Sequence, residues 1–591
     1  MTSKLKVSFG RIFWPSLLAS TIVLVLLFVF IFGLIGSLSK GADTFKVEEN
    51  TILHMKLSGS IGESTATSFD PTVFGVSSKV GLSDILFGLE KAAEDPKVKG
   101  LFLELDMPNC GIATSTEIRN AINEFEESGK FVVAYFQGEV IGMKQYYIGS
   151  AANERYGFPS SVFEFMGMGA ELMFYKGMLD KLDVEIQIVR GSNNDFKSAV
   201  EPYFLSKISD SSRVQLERYL HSMWEDVRSS ISEETGVSAE RLNTIADSTY
   251  IRRVTDAVRE KLLTDALYRD EVMALLVNKV DAKDVDDLNL MSFEKYAKKK
   301  FENDQLILES KSPNIAVIRA EGGIGKSGDG ISSDKLVKII REVREDEDIK
   351  VVVFRVNSPG GSALASDEIW REIILTKAEK PIIVSMGDVA ASGGYYIAAP
   401  ANRIFAESTT ITGSIGVFGM IPYTGKMFEN KLGITFDEVK TNHRAVVSTN
   451  KKMSDGEFQI VQDEVDLIYD QFLGRVAEGR NMTKEQVNQV ARGRVWTGKD
   501  AVKIGLVDEL GGVNDAIQYA ADFVEIDSPV IQYYPKLKKE PWQEFLEMLN
   551  QDDEASAGGL PEELVKWYSN YKTIKDRTGI QMRLPYDIEI R

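Results

Sequence analysis

The chain has 591 residues, and 88 Asp and Glu residues against 69 Lys and Arg residues give it a formal net charge of −19. This acidic balance excludes a nucleic-acid binder, which needs a basic surface. A content of 43% hydrophobic and 27% charged residues excludes extensive disorder. The single cysteine, Cys110, excludes an intramolecular disulfide and a thiolate metal cluster. Three widely spaced histidines make a histidine metal site difficult to build, and no Walker sequence for a nucleotide is present, so we expect no metal and no other cofactor.

The N-terminal segment Leu17–Leu38 contains 22 consecutive residues without a charge. As a helix it would be about 33 Å long, enough for one membrane crossing. Lys4, Lys6 and Arg11 precede it, so the positive-inside rule puts the N-terminus in the cytoplasm and the rest of the chain outside. The alternative is a cleaved signal peptide, whose apolar core is only about 7–15 residues long. We therefore predict a single-pass membrane anchor within residues 1–45.

The remainder of the chain contains an internal repeat. Three pairs of segments match at nearly constant offsets of 249 to 251 residues: Asp95–Ile122 with Asp346–Ile373, Gln137–Asn153 with Met386–Asn402, and Lys181–Arg190 with Lys431–Lys440. We therefore expect two tandem copies of one fold, covering residues 46–300 and 313–535. A C-terminal extension, residues 536–591, follows them.

Short apolar runs with strand character alternate with amphipathic helical patterns in the second copy. The predicted strands are Ile315–Arg319, Lys350–Val356 and Pro381–Met386, and the predicted helices are Lys335–Val343, Ser366–Leu375 and Glu457–Val476. This alternation predicts an α/β fold of parallel βαβ units in each copy. We expect Asp281–Ser312, rich in Lys and Asp, to link the copies, and Gln551–Gly559 to begin a poorly specified tail.

A serine and several glycines follow two of these strands, in a pattern that indicates acyl-transfer chemistry. The strand Lys350–Val356 runs into an NSPGG turn. Its glycines, Gly360 and Gly361, would let backbone N–H groups face an oxyanion, although a simple tight turn is the alternative. Ser392, in GDVAASGGYY after the third strand, lies at a strand-to-helix junction that exposes a hydroxyl. Ser392 is the candidate nucleophile, with an N-cap role as the alternative.

A serine nucleophile needs a base, and the candidate is a lysine of the first copy. Lys197 lies in a loop whose counterpart in the second copy has no lysine until Lys451. It could act as a base if burial lowers its pKa from about 10.4, whereas an ordinary surface lysine could not. Asp195 and Glu201 flank it and must point away, because their charges would raise that pKa. His443, in the matched loop of the second copy, is the rival base.

The first copy lacks these chemical groups at the matched positions. Met143 stands where the second copy has Ser392, and Asn109 and Cys110 stand where it has the two glycines. We therefore expect one active site, with the nucleophile from the second copy and the base from the first.

Four motifs occur in order on this duplicated chain: FKSAVEP at 196–202, NSPGG at 357–361, MGDVAASGGYY at 386–396 and TGSIGVFG at 412–419. With them the chain resembles the signal peptide peptidase A (protease IV) family of the long, duplicated bacterial type, peptidase family S49. The resemblance runs to about residue 535 and offers no explanation of residues 536–591. It implies a Clp-protease/crotonase-like ββα superhelix in each half. It also implies a homotetramer of single-pass proteins in the cytoplasmic (inner) membrane, with a periplasmic catalytic body.

The same resemblance implies the site residues and the activity. Ser392 and Lys197 would form a Ser/Lys dyad completed across the two halves. Gly393, with Gly360 or Gly361, would form the oxyanion hole. The activity implied is that of a serine endopeptidase that degrades cleaved signal peptides and other apolar peptides.

Two apolar segments matched between the copies, Val417–Tyr423 and Val162–Tyr175, predict a groove for extended apolar peptides, with Val417, Phe418 and Gly419 as its candidate residues. Packing in the core or between subunits is the alternative. Two other functions also remain open. A crotonase-type acyl-thioester enzyme would share the fold and the glycine oxyanion hole without needing the serine and lysine, and a membrane scaffold would need neither.

Overall fold

The structure of the chain is a computed structural model that describes residues 46–64, 66–70, 75–248, 250–308, 312–328, 330–536 and 579–583. The predicted anchor Leu17–Leu38 and the segment Gln551–Gly559 lie outside these residues. Within the described ranges, no helix is both long and apolar enough to span a membrane. Internal contacts divide the chain after Glu48, and the fold described below belongs to the unit formed by residues 49–591.

The first copy is built on a parallel sheet of strand order β10-β7-β5-β4-β1-β11. The strands up to Ser292 are β1 (Thr51–Ser60), β2 (Ala66–Asp70), β3 (Gly75–Lys79), β4 (Val98–Asn109), β5 (Phe131–Phe136), β6 (Val140–Ile141), β7 (Glu154–Gly157), β8 (Val162–Phe163), β9 (Glu185–Arg190), β10 (Asp265–Ala266) and β11 (Leu290–Ser292). The helices are α1 (Leu82–Glu94), α2 (Ile112–Glu127), α3 (Met143–Gly149), α4 (Lys176–Lys181), α5 (Glu201–Phe204), α6 (Asp210–Thr235), α7 (Ala239–Ser248), α8 (Val254–Arg259), α9 (Arg269–Lys279) and α10 (Phe293–Leu308).

The second copy is built on a sheet whose central strands are also parallel, with the path β21-β19-β17-β15-β12-β23 and with β18 and β22 branching from β17. Its strands, with the C-terminal one, are β12 (Ile315–Glu321), β13 (Ile324–Gly325), β14 (Ile331–Ser332), β15 (Val351–Ser358), β16 (Gly360–Ser362), β17 (Ile382–Ala391), β18 (Arg403–Ala406), β19 (Ile411–Gly413), β20 (Phe418–Tyr423), β21 (Val495–Thr497), β22 (Glu509–Leu510), β23 (Ile531–Tyr534) and β24 (Gly579–Arg583). Its helices are α11 (Ser333–Glu345), α12 (Ala363–Lys377), α13 (Gly393–Ala398), α14 (Gly425–Leu432), α15 (Asp455–Gly479), α16 (Lys484–Val490), α17 (Gly498–Lys503) and α18 (Val513–Phe523).

The two copies have the same strand order. The first sheet's β10-β7-β5-β4-β1-β11 corresponds strand for strand to β22-β18-β17-β15-β12-β23 in the second. Equivalent tyrosines make equivalent contacts, since the hydroxyls of Tyr146 and Tyr395 donate to the carbonyls of Leu262 and Leu506, each at 2.8 Å. The tandem repetition expected from the sequence is therefore present in the fold.

The predicted elements of the second copy are confirmed with small changes at their ends. The valine-rich segment Val351–Val356 is buried throughout, as expected for a parallel strand covered on both faces. The helix α11 buries Leu336, Ile340 and Val343, whose spacing of three and four residues lies along one face. The third strand continues five residues beyond the predicted end, to Ala391, so that it ends immediately before Ser392.

The prediction that Asp281–Ser312 is a linker is wrong for much of its length. Leu290–Ser292 forms β11, which pairs in parallel with β1 at the edge of the first sheet. The helix α10 follows directly and buries Phe293 and Tyr296. Four of the lysines in this segment lie on the amphipathic helix α10, whose charged outer face resembles a linker in composition alone.

A third sheet joins the two copies, with strand order β14-β13-β16-β24-β20-β9. The first copy's β9 pairs antiparallel with the second copy's β20, from Arg190 opposite Phe418 to Glu185 opposite Tyr423. The loop that follows β9 carries Lys197, so this pairing directs the loop of the first copy into the second.

Candidate active site

Ser392 lies alone between the end of β17 and the start of α13. Its backbone has φ 56° and ψ −116°, a strained conformation for a residue with a side chain. Its N–H donates to the Gly413 carbonyl at 2.8 Å, and its carbonyl accepts from the Tyr396 N–H at 2.8 Å. Although Ser392 occupies the N-cap position, its hydroxyl makes no cap hydrogen bond. The hydroxyl is therefore available for another partner.

That partner is Lys197, although 195 residues separate the two in sequence. Both residues are fully buried. The Lys197 Nζ lies 2.8 Å from Ser392 Oγ, 2.9 Å from the Ser414 carbonyl oxygen and 3.0 Å from Ser414 Oγ. The structure thus brings together the two predicted catalytic residues, one from each copy, and adds Ser414 as a second partner of the Lys197 amine.

Burial lowers the pKa of Lys197 well below its ordinary value, because desolvation disfavours the charged ammonium. A neutral amine has two N–H groups and one lone pair. The Ser414 carbonyl can only accept, so it takes one N–H. One N–H and the lone pair then remain for the hydroxyls of Ser414 and Ser392. This set of contacts lets Ser392 donate its proton to the lysine.

The two carboxylates that flank Lys197 in sequence point away from it. The side chain of Asp195 is 62% exposed, and its carboxylate lies 3.6 Å from Nη1 of Arg492. The buried Glu201 accepts hydrogen bonds from the hydroxyl of Ser209 at 2.6 Å and from its N–H at 3.3 Å. The requirement that both neighbouring carboxylates point away from a lysine base is therefore met.

The loop that carries Lys197 is held by segments of the second copy and by α6. The N–H of Phe196 donates to the Arg492 carbonyl at 3.0 Å. The side-chain amide of Gln215, on α6, donates to the Phe196 carbonyl at 3.2 Å and to the Ser198 hydroxyl at 2.9 Å. Asn194 donates to the Val417 carbonyl at 3.0 Å. The position of Lys197 thus depends on both copies.

The glycine-rich turn after β15 lies against the start of α13. A Cβ added to Gly394 would lie 2.6 Å from the Ser358 carbonyl oxygen, which shows how closely the turn approaches the helix. Gly360 has φ 94° and donates its N–H to Ser358 Oγ at 3.1 Å. A Cβ on Gly361 would lie 2.1 Å from the Ile324 carbonyl oxygen. Both glycines are therefore required by the backbone geometry, whatever their role towards a ligand.

The predicted groove residues contribute backbone rather than side chains. Val417 and Phe418 are 0% and 1% exposed, so their side chains belong to the core. The backbone of Phe418 and Gly419 lies in β20, which forms part of the third sheet. In the matched first-copy segment Val162–Tyr175, the side chains of Met166 and Met173 are exposed.

Ser414 is the residue that the sequence reasoning missed. It lies inside the TGSIGVFG motif at 412–419, which was recognised only as part of a resemblance. Its φ of 50° and its full burial mark it as a constrained residue. The feature of the sequence that could have indicated Ser414 was a serine between glycines in a motif to which no role had been assigned.

The rival base, His443, is exposed in the segment after α14. Ser392, by contrast, is fully buried and has Lys197 as its hydroxyl partner. In the first copy, Met143 begins α3, and Lys144 next to it donates to the Cys110 carbonyl at 3.3 Å. In the first copy, the contact between Lys144 and Cys110 therefore lies where the second copy has Ser392 and its two glycines.

A buried ionic network joins the copies behind this site. Arg355 of the second copy donates to Glu63 at 2.9 Å and to Glu117 at 2.6 Å, both from the first copy, and all three side chains are buried. Asp388, four residues before Ser392, accepts from the Thr114 N–H at 2.9 Å and from its hydroxyl at 2.7 Å. These contacts tie the strand that ends immediately before Ser392 to the copy that carries Lys197.

Comparison with known proteins identifies the family. The model of peptidase family S49 matches residues 124–283 and 374–527, once in each copy. Protease 4 of Haemophilus influenzae is 35% identical over 510 residues, covering 83% of this chain and 80% of that protein. Protease 4 of Salmonella typhi is 32% identical over 539 residues, covering 87% and 85%. The chloroplastic serine protease SPPA of Arabidopsis thaliana is 34% identical over 486 residues, covering 80% and 69%.

Among solved structures, a ClpP1 mutant from Listeria monocytogenes matches 36% of this chain and 98% of its own, with 16% identity and a TM-score of 0.25. At that score the likeness carries no argument, so the Clp-protease/crotonase superhelix stays a prediction beyond the observed α/β fold. The fold, the repeat and the relatives define the class of the chain as a peptidase. The chain belongs to peptidase family S49. Membership favours a peptidase over the acyl-thioester enzyme and the scaffold.

Proposed function

We propose that this chain is a serine endopeptidase in which Ser392 is the nucleophile and Lys197 the general base. One observation carries the proposal: a lysine amine and a serine hydroxyl, both fully buried, lie 2.8 Å apart. A buried lysine is normally paired with a carboxylate, because an unpaired charge is costly to bury. Here the amine contacts only Ser392 and Ser414 among the described residues, as a neutral base would.

The proposed reaction proceeds through an acyl-enzyme. Neutral Lys197 takes the proton of Ser392 Oγ as the oxygen attacks the peptide carbonyl carbon. When the tetrahedral intermediate collapses, the C–N bond breaks and the lysine ammonium gives its proton to the leaving amine. Water then attacks the ester carbon while Lys197 accepts one of its protons. The C–Oγ bond of the ester breaks, the lysine ammonium returns the proton to Ser392 Oγ, and the carboxylic acid product leaves. No metal or cofactor takes part in these steps.

Backbone N–H groups would stabilise the oxyanion. Gly393 opens α13, and the first N–H groups of a helix have no partner within that helix. The close approach of the Ser358 turn to Gly394 supports a second donor from Gly360 or Gly361. The Gly360 N–H would exchange its contact with Ser358 Oγ for the oxyanion.

The proposed substrates are extended peptides, in particular apolar ones such as the remnants of cleaved signal peptides. An extended peptide binds to strand edges by backbone hydrogen bonds, as in other β-augmentation sites. The position between β16 and β20 in the third sheet would accept one strand. A preference for apolar over charged peptides of equal length would support this specificity, and equal cleavage rates would contradict it.

The decisive experiment is labelling with a fluorophosphonate, followed by peptide mapping and turnover of a fluorogenic apolar peptide. We expect labelling at Ser392, and we expect Ser392→Ala and Lys197→Ala each to abolish turnover. The double variant should be no worse than either single one, because residues of one catalytic unit fail together. His443→Ala is the matched control and should keep full activity. Activity retained in Lys197→Ala but lost in His443→Ala would refute the dyad.

The proposal also includes a membrane anchor at Leu17–Leu38, a periplasmic catalytic body and assembly into a homotetramer. Positive charges before a single uncharged segment support this orientation. Protease added to spheroplasts should degrade residues 46–591, while intact cells protect them. Cross-linking in membranes should yield a species four times the mass of the chain, and a monomer alone would contradict the tetramer.

A further inference from the structure

The helix α6 of the first copy packs against strands of the second. Its buried apolar face forms one cluster with residues of β17, β19 and β21, and the helix contributes Leu216, Tyr219 and Met223 at helical spacing. Gln215 lies on this same face and is 1% exposed. A buried polar side chain needs hydrogen-bond partners, so the partners of Gln215 indicate its role.

The Gln215 amide joins two separate segments that surround Lys197. Its NH2 group donates to the Phe196 carbonyl at 3.2 Å and to the Ser198 hydroxyl at 2.9 Å, on either side of Lys197 in the chain. Its Oε1 accepts from the Val495 N–H of β21 at 3.3 Å. A backbone carbonyl can only accept and a backbone N–H can only donate, so these contacts fix which end of the amide carries the NH2 group.

The residue before Val495 in turn holds Ser414, the second partner of the Lys197 amine. The Ser414 N–H donates to the Arg494 carbonyl at 2.7 Å. Ser414 contacts the Lys197 amine through its carbonyl and its hydroxyl. One side-chain amide is therefore connected to the amine by two routes, through the loop 196–198 and through residues 494–495 and Ser414.

We propose that Gln215 is a positioning residue for Lys197, which holds the loop of the base and the segment behind Ser414 in one fixed relation. This inference rests on the proposed function, since it assigns a residue that supports the base of that same site. The partners of the Gln215 amide are two backbone groups and the Ser198 hydroxyl, so it acts on the amine through them. Its loss should loosen the packing that keeps water from the amine.

Burial, rather than a nearby charge, is the cause of the lowered pKa of Lys197. The charged side chains of the neighbouring elements have other partners: Arg218 with Asp500, Arg492 with Asp195, Glu201 with Ser209, and Arg494 over the ring of Trp496. Water admitted by a loosened loop would therefore raise the pKa of Lys197 towards its ordinary value.

The first test follows the pH dependence of fluorophosphonate labelling and of peptide turnover in the full-length chain. Gln215→Met keeps the length and the helix propensity of the side chain but removes all three hydrogen bonds of the amide. We expect kcat near pH 7 to fall about tenfold or more with KM nearly unchanged, and the ascending limb to move up by about one pH unit. A variant that is only destabilised would lose activity without moving the limb.

Ser222→Ala is the matched control on the same helix. It removes a hydrogen bond of 3.1 Å between α6 and Thr497 of β21 and leaves the contacts of the Lys197 loop in place. It should keep the kcat and the ascending limb of the natural chain. An unmoved limb in a folded Gln215→Met protein would overturn the inference, and so would an equal shift in Ser222→Ala.

Ser198→Ala is a milder variant that removes one of the contacts of the amide. The limb should move in the same direction by a smaller amount. The variant that combines it with Gln215→Met should be no worse than Gln215→Met alone, because the hydroxyl acts through the amide. Additive losses would overturn the inference. Where Gln215→Met does not fold, an unmoved limb in Ser198→Ala would do the same.

Urea unfolding gives a second readout, which does not need catalysis. Because the folded chain binds fewer protons at Lys197 than the unfolded chain, its free energy of unfolding rises with pH from about 7 to about 9.5. We expect a smaller rise in Gln215→Met and the natural rise in Ser222→Ala. The same rise in all three proteins would overturn the inference. If the natural chain shows neither labelling nor turnover, the proposed function fails, whereas a smaller rise in Gln215→Met would still show that Gln215 sets the surroundings of Lys197.

Discussion

Gly493 of the second copy lies directly against Lys197 of the first. A Cβ added to Gly493 would lie 2.5 Å from Lys197 Cβ, 2.6 Å from its backbone N and 2.7 Å from its Cα. Gly493 also has φ 78°, and its N–H donates to the Ile415 carbonyl at 2.8 Å. The position of the proposed base therefore depends on the absence of a single methyl group in the other copy.

Gly493→Ala should lower peptidase activity by displacing Lys197. We expect kcat/KM to fall at least about tenfold and the protein to lose about 1–3 kcal/mol of stability, since the methyl group overlaps backbone and the positive φ is strained. Gly433→Ala is the control, because Gly433 has φ 66° with nothing within 4 Å of its added Cβ. Gly433→Ala should lose stability only through the strain of its positive φ, and it should keep normal activity. Equal activity losses in the two variants would contradict this explanation.

The pH profile should report the lowered pKa of Lys197. Burial lowers that pKa, so the amine becomes a neutral base at a lower pH than a surface lysine would. Activity should be absent at low pH, rise as Lys197 loses its proton, and level off well below pH 10.4, the ordinary lysine pKa. The measurement is kcat/KM for an uncharged peptide across pH 5 to 10. An ascending limb centred near 10.4 would mean that Lys197 is not desolvated.

The same shift should appear in stability. The folded chain binds fewer protons at Lys197 than the unfolded chain, so its free energy of unfolding should rise with pH up to about 10.4. Lys197→Met removes this contribution, and we expect it to be more stable than the natural chain near pH 7. The difference should shrink as the pH approaches 10. Urea unfolding of both proteins at several pH values measures this difference in the free energy of unfolding.

Ser414→Ala should test how Lys197 is held. The substitution removes one of two contacts from Ser414 to Nζ and keeps the carbonyl contact. We expect kcat to fall roughly tenfold to a hundredfold with KM nearly unchanged, because the base is no longer aimed at Ser392. Loss of an acceptor also destabilises the charged amine, so the ascending limb of the pH profile should move to lower pH. Thr409→Val is the control, because it removes a buried hydroxyl that has no partner among the described residues. It should leave kcat and the ascending limb of the pH profile unchanged.

Arg355→Met should loosen the junction between the copies. It leaves Glu63 and Glu117 buried without their cation, at a cost of about 3–5 kcal/mol in the free energy of unfolding. Lys326→Met removes a cation from an exposed pair with Glu368, and its effect on the free energy of unfolding should be much smaller, because water screens an exposed ion pair. The loss in Arg355→Met should diminish at acidic pH, since burial raises the pKa of Glu117 and its protonation removes the unpaired charge. Similar losses in both variants would argue against a buried network.

Much of the fold could be predicted from local patterns. The valine-rich strand Val351–Val356 and the helix of Leu336, Ile340 and Val343 were recognised because an apolar run and a helical spacing of apolar residues are local properties of the sequence. The same reasoning failed for Leu290–Ser292, since a three-residue edge strand has too few residues to show a period. It could not find β24 either, because strand pairing between distant segments depends on which edges the rest of the fold leaves open.

The sequence by itself determined the acidic character of the chain, which follows from its composition. It also determined the repeat and the asymmetry between the copies, which follow from comparing residue types at matched positions. That comparison singled out Ser392 and Lys197 before any geometry was known. Only the tertiary structure decided that their side chains meet at 2.8 Å, that Asp195 and Glu201 point away, and that Ser414 joins them. Side-chain direction in a loop is set by packing from the other copy, and the pKa of a lysine is set by how completely that packing removes water. Neither property is contained in the local sequence.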